Sequence, residues 1–222
     1  MPIVVHAHYL RVVRLPLAVG VVAVLALIAT AIWRRGVARR PLLAVATTVL
    51  AILYVGVPLC YAYALRYHEY AVGRTAGAAV VMFPILLTWA SDIGAYAVGR
   101  LTGRHKLIPA VSPGKTVEGA LGALVVTVVA AIAYERFALR PLAQLAIAPW
   151  WAAAFGLAVS LAAQVGDLAE SLFKRDAGVK DSSHLIPGHG GILDRFDSLF
   201  FVLPVSSLVL GWILLPAPGA GR

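Results

Sequence analysis

Six apolar runs, each about the length needed to cross a bilayer, divide this chain: about 15–33, 42–64, 76–99, 117–135, 147–172 and 197–215. A spanning helix needs roughly 20 predominantly apolar residues. The runs predict an all-α polytopic integral membrane protein with about six transmembrane helices. Of the 222 residues, 61% are hydrophobic and 13% charged, which leaves no room for a separate soluble domain. Polar content divides the chain in two. Region 1–75 holds two spans with almost nothing polar and reads as scaffold, whereas region 76–222 carries the side chains able to do chemistry.

A net charge of +9 invites a nucleic-acid reading, but membrane topology explains it better. With six crossings, the connections 34–40, 100–116 and 174–195 share one side. They hold twelve of the 19 basic residues: Arg34, Arg35, Arg39, Arg40, Arg100, Arg104, Lys106, Lys115, Lys174, Arg175, Lys180 and Arg195. The positive-inside rule makes that side cytoplasmic and sets both termini outside, with Arg11 and Arg14 running against the trend. A phosphate-binding site would enrich the same loops. Cys60 is the sole cysteine, so neither an internal disulfide nor a thiolate metal cage can form. Run 15–33 is too long for a signal-peptide core and reads as a retained helix. The stretches "RYHEYAVGR" (Arg66 to Arg74) and "YERFALRP" (Tyr134 to Pro141) read as solvated outer connections, with Pro141 as a breaker.

Polarity enters with the third span. Asp92 lies inside it, where an ionised carboxylate must face a wet or paired interior. It shares a helix face with Tyr96, and pairing with a basic loop residue is its structural alternative. Next comes "SPGKT", Ser112 to Thr116. Ser112 suits a helix N-cap, Pro113 a first helical position, and Gly114 close approach of a ligand to the backbone. Free N–H groups there, with Lys115 nearby, would cradle phosphate, although the spacing of a P-loop is missing. Glu118 favours the helix dipole and is within reach of Lys115. Gly119 and Gly122 offer a small face for close helix packing.

In the fifth span Gln164, Asp167, Ser171 and Lys174 follow at spacings of three, four and three, on one helical face with Glu170 beside it. A polar stripe cannot face lipid, so it faces the bundle or water. Farther on, Asp194 and Asp197 are spaced to point the same way if the last helix starts there. Asp167, Asp194 and Asp197, with Asp92, make an all-carboxylate group of hard oxygen donors. It suits Mg²⁺ or Mn²⁺, and His184 and His189 leave a mixed site open. Lys115, Lys174, Arg175, Lys180 and Arg195 surround that group. Carboxylates for metal plus several cations are what phosphate-ester and nucleotide chemistry requires. No Ser-His-Asp arrangement is evident.

The run Ser171 to Asp197, "SLFKRDAGVKDSSHLIPGHGGILDRFD", resembles the signature of the phosphatidate cytidylyltransferase (CDP-diacylglycerol synthase) family. Together with "SDIGAYAVGRLTGRHKLIPAVSPGKTVEGALG" and "QVGDLAE", the similarity covers roughly 85–200. It implies a membrane enzyme of phospholipid biosynthesis that makes CDP-diacylglycerol and pyrophosphate from CTP and phosphatidic acid. It further implies Mg²⁺ or Mn²⁺, two cations per site, and an active site facing the cytoplasm from the cell membrane. A homodimer is plausible by resemblance, membrane lipids are partners, and nucleic acid is not. The metal carboxylates map onto Asp167, Asp194 and Asp197, with Asp92, and the phosphate-handling residues onto Ser112, Lys115, Lys174, Arg175, Lys180 and Arg195. His189 opens the H-G-G element. Family members usually carry additional hydrophobic segments before this half, whereas here two spans precede Ala76. The same residues could serve a CTP-dependent enzyme acting on an ether lipid or a polyprenol. A cation-coupled transporter is the alternative of another class, although the carboxylates gather at predicted helix ends and no inverted repeat is present.

Overall fold

The computed structural model describes residues 17–35, 40–68, 71, 73–183 and 191–214. The chain resolves into two compact units, Met1–Ala64 and Leu65–Arg222. In the first, α1 (Leu17–Arg35) is followed by α2 (Pro41–Ala51), which passes through π-helical Ile52–Gly56 into α3 (Val57–Arg66). Pro41 occupies the first turn of α2, where its missing N–H costs nothing. Thr47 and Thr48 donate their hydroxyls to carbonyls of the preceding turn, so the helix carries them without an unsatisfied group.

The second unit holds α4 (Arg74–Thr102), a hairpin of β1 (Lys106–Ile108) and β2 (Ser112–Thr116), then α5 (Val117–Tyr134), which runs on through π-helical Glu135–Ala143. After it come α6 (Pro149–Asp176), a short α7 (Leu193–Phe196) and α8 (Leu199–Leu214). Among the described residues, five helical segments are long and apolar enough to cross a membrane: Pro41–Arg66, Arg74–Thr102, Val117–Ala143, Pro149–Asp176 and Leu193–Leu214. Val19–Arg34 is a shorter apolar helix at the first expected span. The protein is an all-α polytopic membrane protein whose only described sheet is the small hairpin.

Close helix approach and one aromatic cluster build the core of this unit. A Cβ added at Gly119 would stand 2.7 Å from the Ala95 carbonyl, so α4 and α5 touch backbone to backbone where the sequence offered a small face. Phe83 stacks on Tyr134 at 4.8 Å and tilts against Phe155 at 4.6 Å, which ties α4, α5 and α6 together. The Tyr134 hydroxyl donates to the Ala79 carbonyl at 2.9 Å, satisfying the polar tip of a ring in apolar surroundings.

Two local expectations are corrected. Ser112 does not cap a helix and Pro113 does not begin one: Ser112–Thr116 is a strand paired antiparallel with Lys106–Ile108. Thr116 is the cap instead, its hydroxyl accepting the Gly119 N–H at 3.1 Å. The hairpin wins because the partner strand takes up backbone groups that a helix start at Pro113 would leave open. At the other end of α5, "YERFALRP" is no solvated connection. The helix continues through it in π geometry past Pro141, and Glu135 is only 2% exposed.

Candidate active site

Five elements line a cleft of about 530 Å³ in the second unit: α4, β1, β2, the start of α5, and α6. Its polar lining includes Asp92, Tyr96 and Arg100 on α4, Lys115 on β2, and Gln164 and Asp167 on α6. Asp92 is exposed rather than sealed between helices, so its carboxylate has the wet environment that a charge inside a span requires.

Lys115 reaches across the cleft to Asp167, Nζ to Oδ2 2.7 Å, with about a quarter of the lysine side chain and a third of the aspartate exposed. Ser171 Oγ lies 3.5 Å from the other Asp167 oxygen. Below this pair the floor is neutral and polar. The buried hydroxyls of Ser91 and Ser160 meet at 2.9 Å, and Gln164 donates to Ser160 Oγ at 3.2 Å and to the Ala120 carbonyl at 3.3 Å. The stripe read along α6 therefore faces the bundle.

The hairpin that carries Lys115 is fastened at three points. Glu118 Oε1 meets His105 Nδ1 at 2.6 Å, and its carboxylate accepts the Arg104 and His105 N–H groups at 3.1 and 3.2 Å. Glu118 thus closes the hairpin's entry rather than pairing with Lys115. Arg175 donates to the Val111 carbonyl at 3.4 Å, and the Lys115–Asp167 pair is the third tie.

A second ionic group forms where α6 ends. Lys174 bridges the carboxylates of Glu170 and Asp194, the latter at 2.7 Å. Asp194 also accepts the Ser182 N–H at 3.0 Å, the Ser182 hydroxyl at 2.6 Å and the Gly191 N–H at 2.7 Å. Its acceptor capacity is largely filled. Glu170 is 1% exposed, so its negative charge depends on Lys174.

Asp197 stands between the two groups. A Cβ at Gly166 would meet the Asp197 carbonyl at 2.9 Å, so the glycine draws the entry to α8 against α6 beside Asp167. Asp197 Oδ1 accepts the Ser198 N–H at 2.6 Å. Asp92, Asp167 and Asp197 lie within range of one another's charge, with Lys115 among them. Asp194 and Asp197 thus share a stretch of chain but have different partners. Three carboxylates with one ammonium among them are a donor set suited to a hard divalent cation. Among the described residues, however, no three His, Cys, Asp or Glu side chains close on one point.

Of the other residues read from the sequence, Ser112 is half-buried on β2, Arg175 holds the hairpin, and Lys180 and Arg195 are exposed. His184 and His189 lie outside the described residues. Two contributors were given no role in the site by the sequence: Glu170, placed only beside the α6 stripe, and His105. Glu170 had a local signal, its spacing of four from Lys174 on a helix. His105 had none, because only the hairpin brings it to Glu118.

A cleft crossed by one lysine–carboxylate pair, set between apolar helices long enough to span a membrane and a polar hairpin, marks the candidate site of an integral membrane protein. A family model described as the cytidylyltransferase family matches residues 2–213, and the chain belongs to that family. It is similar to proteins named phosphatidate cytidylyltransferase. One from Staphylococcus saprophyticus is 42% identical over 161 residues, covering 72% of this chain and 57% of the relative. Those from Staphylococcus epidermidis and Staphylococcus aureus are 40% and 39% identical over the same lengths. The match thus spans little more than half the length of these curated relatives.

Proposed function

We propose that this protein is a phosphatidate cytidylyltransferase, transferring CMP from CTP to phosphatidic acid to give CDP-diacylglycerol and pyrophosphate. The observation that carries this reading is the Lys115–Asp167 pair across a cleft in a membrane-spanning bundle of the cytidylyltransferase family. A pair of this kind stores a cation in place. An arriving phosphate takes the ammonium, and the carboxylate is released for other work.

In the reaction, a phosphate oxygen of phosphatidic acid attacks the α-phosphorus of CTP in line. The new P–O bond forms as the bond to the β-phosphate oxygen breaks, and pyrophosphate leaves with that electron pair. A phosphomonoester is already mostly ionised near neutral pH, so no strong general base is needed. Lys115, tied to a hairpin fastened by Glu118 and Arg175, meets the triphosphate. Lys174 is held in position by Glu170 and Asp194 and adds positive charge at the end of α6. Arg175, Lys180 and Arg195 extend the basic rim, and Ser112 and His189 are assigned to substrate contact. Asp167 and Asp197, with Asp92, would hold Mg²⁺ or Mn²⁺, two cations in the full site, and Asp194 first serves Lys174. Bound cations would neutralise charge developing on the transferring phosphoryl group.

The twelve basic residues in three loops support a site facing the cytoplasm from the cell membrane. CTP then arrives from water and the lipid from the side. Membrane lipids surround the chain, nucleic acid has no part, and a homodimer is compatible with this arrangement.

The test is a product assay. Purified protein in detergent receives phosphatidic acid, Mg²⁺ and each of the four nucleoside triphosphates in turn. CDP-lipid and pyrophosphate with CTP alone, lost on chelation, are expected. If folded protein makes no product from phosphatidic acid but does from an ether-lipid or polyprenyl phosphate, the acceptor assignment is wrong. If it makes none from any acceptor, the transferase reading fails.

A further inference from the structure

Arg100 differs from the other cation of the cleft. Lys115 is neutralised by Asp167. Arg100 also lines the cleft, yet among the described residues it has no ion-pair partner. Its contact is a neutral one: Nη1 donates to the Tyr96 hydroxyl at 2.8 Å, and the guanidinium lies 5.9 Å from that ring's centroid. The tyrosine orients the guanidinium without cancelling its charge and leaves most of its five N–H donors available.

The two residues end a stripe on α4. Trp89, Ile93, Tyr96 and Arg100 follow at helical spacing, and the first three are 54%, 66% and 66% exposed. On a membrane-spanning helix such an apolar face is turned to lipid, with Tyr and Arg at the interfacial end. Residues that both line the cleft and stand exposed form its rim. The cleft therefore opens at a place where an apolar helix face leads up to an unneutralised cation.

We propose that Arg100, oriented by Tyr96, is the recognition point for the terminal phosphate of an anionic lipid entering the cleft along the outer face of α4. This rests on the transferase reading and adds to it the route and the anchor of the lipid substrate. A nucleoside triphosphate has no apolar chain to lay along Trp89 and Ile93. A phosphomonoester on two acyl chains has both parts that the stripe accommodates. The guanidinium fork matches phosphate oxygens in a way that a lysine ammonium does not.

The test uses the full chain in mixed micelles, comparing wild type, Arg100→Ala, Arg100→Lys and Tyr96→Phe, each checked for an unchanged melting temperature. Arg100→Ala is expected to raise the KM for phosphatidic acid by roughly 10- to 100-fold while the KM for CTP stays within about twofold. Arg100→Lys should recover part of that loss, and Tyr96→Phe should raise the lipid KM by about threefold. An unchanged lipid KM, or an equal rise in the CTP KM, overturns the proposal. Native mass spectrometry separates this outcome from a failure of the transferase reading. Wild type should retain phosphatidic acid in preference to phosphatidylcholine, and Arg100→Ala should lose the preference, whether or not product forms. Equal retention by both proteins also overturns the proposal.

Discussion

The second unit holds charge at both ends of α5, and the two ends are built differently. At the far end Glu135 is buried and paired with Arg140 at 2.5 Å, and the same oxygen accepts the Ile147 N–H at 3.1 Å. Nothing there lines the cleft. Some 25 Å away, by the rise of an 18-residue helix, Lys115 and Asp167 face open space with part of each side chain exposed. A buried carboxylate held by a partly exposed arginine and a backbone N–H fixes a helix end, and losing the arginine strands its charge. A pair that spans a cleft, with part of each side chain exposed, can be exchanged for a ligand. Lys174 lies between these cases, sealed like the first with Glu170 but joined through Asp194 to the loop before α7.

Substitutions can break this contrast, beginning with the largest effect. Asp197→Asn should lower turnover by roughly ten-thousandfold, about 5 kcal/mol of activation free energy, with the protein still folded and in the membrane. Steady-state kinetics beside a melting curve checks it, and near-normal activity would remove Asp197 from the site. Arg140→Met should do the reverse. Stranding Glu135 is expected to cost roughly 3–5 kcal/mol of stability, read as a lowered melting temperature, while the KM values of the folded fraction stay unchanged. Lys115→Met should reduce kcat/KM for CTP by roughly a hundredfold, and the loss of a partly exposed pair should move stability by no more than about 1 kcal/mol. Glu118→Gln keeps the shape of the hairpin latch and removes its charge. It should cost about tenfold in kcat/KM with little change in melting temperature, since its carboxylate touches the hairpin and not the substrate.

How much of this could be read beforehand follows from the range of each interaction. Helices were legible because apolar run length reports directly on bilayer crossing. The α6 stripe was legible because helical spacing alone decides that Gln164, Asp167, Ser171 and Lys174 share a face. Ser112–Thr116 was misread because a Ser-Pro pair satisfies the local rules for a helix start, whereas the partner strand is fixed by a turn several residues away. Asp194 and Asp197 were expected to act together on spacing alone. Lys174, Ser182 and Gly191 take the first, while Gly166 draws the second against α6, and neither choice is encoded within three residues. Glu135 was assigned to solvent because Arg140 and Ile147, which make its burial tolerable, become neighbours only after the helix extends through Pro141.

The most direct test of the contrast is the thermal shift given by CTP with Mg²⁺ and no lipid, measured on wild type, Lys115→Met and Arg140→Met. With CTP at about a hundred times its Kd, wild type should gain about 2.7 kcal/mol. Arg140→Met should gain as much from a lower starting point, and Lys115→Met should gain little. A full shift in Lys115→Met, or none in wild type, would contradict the assignment of the cleft end of α5 to the nucleotide.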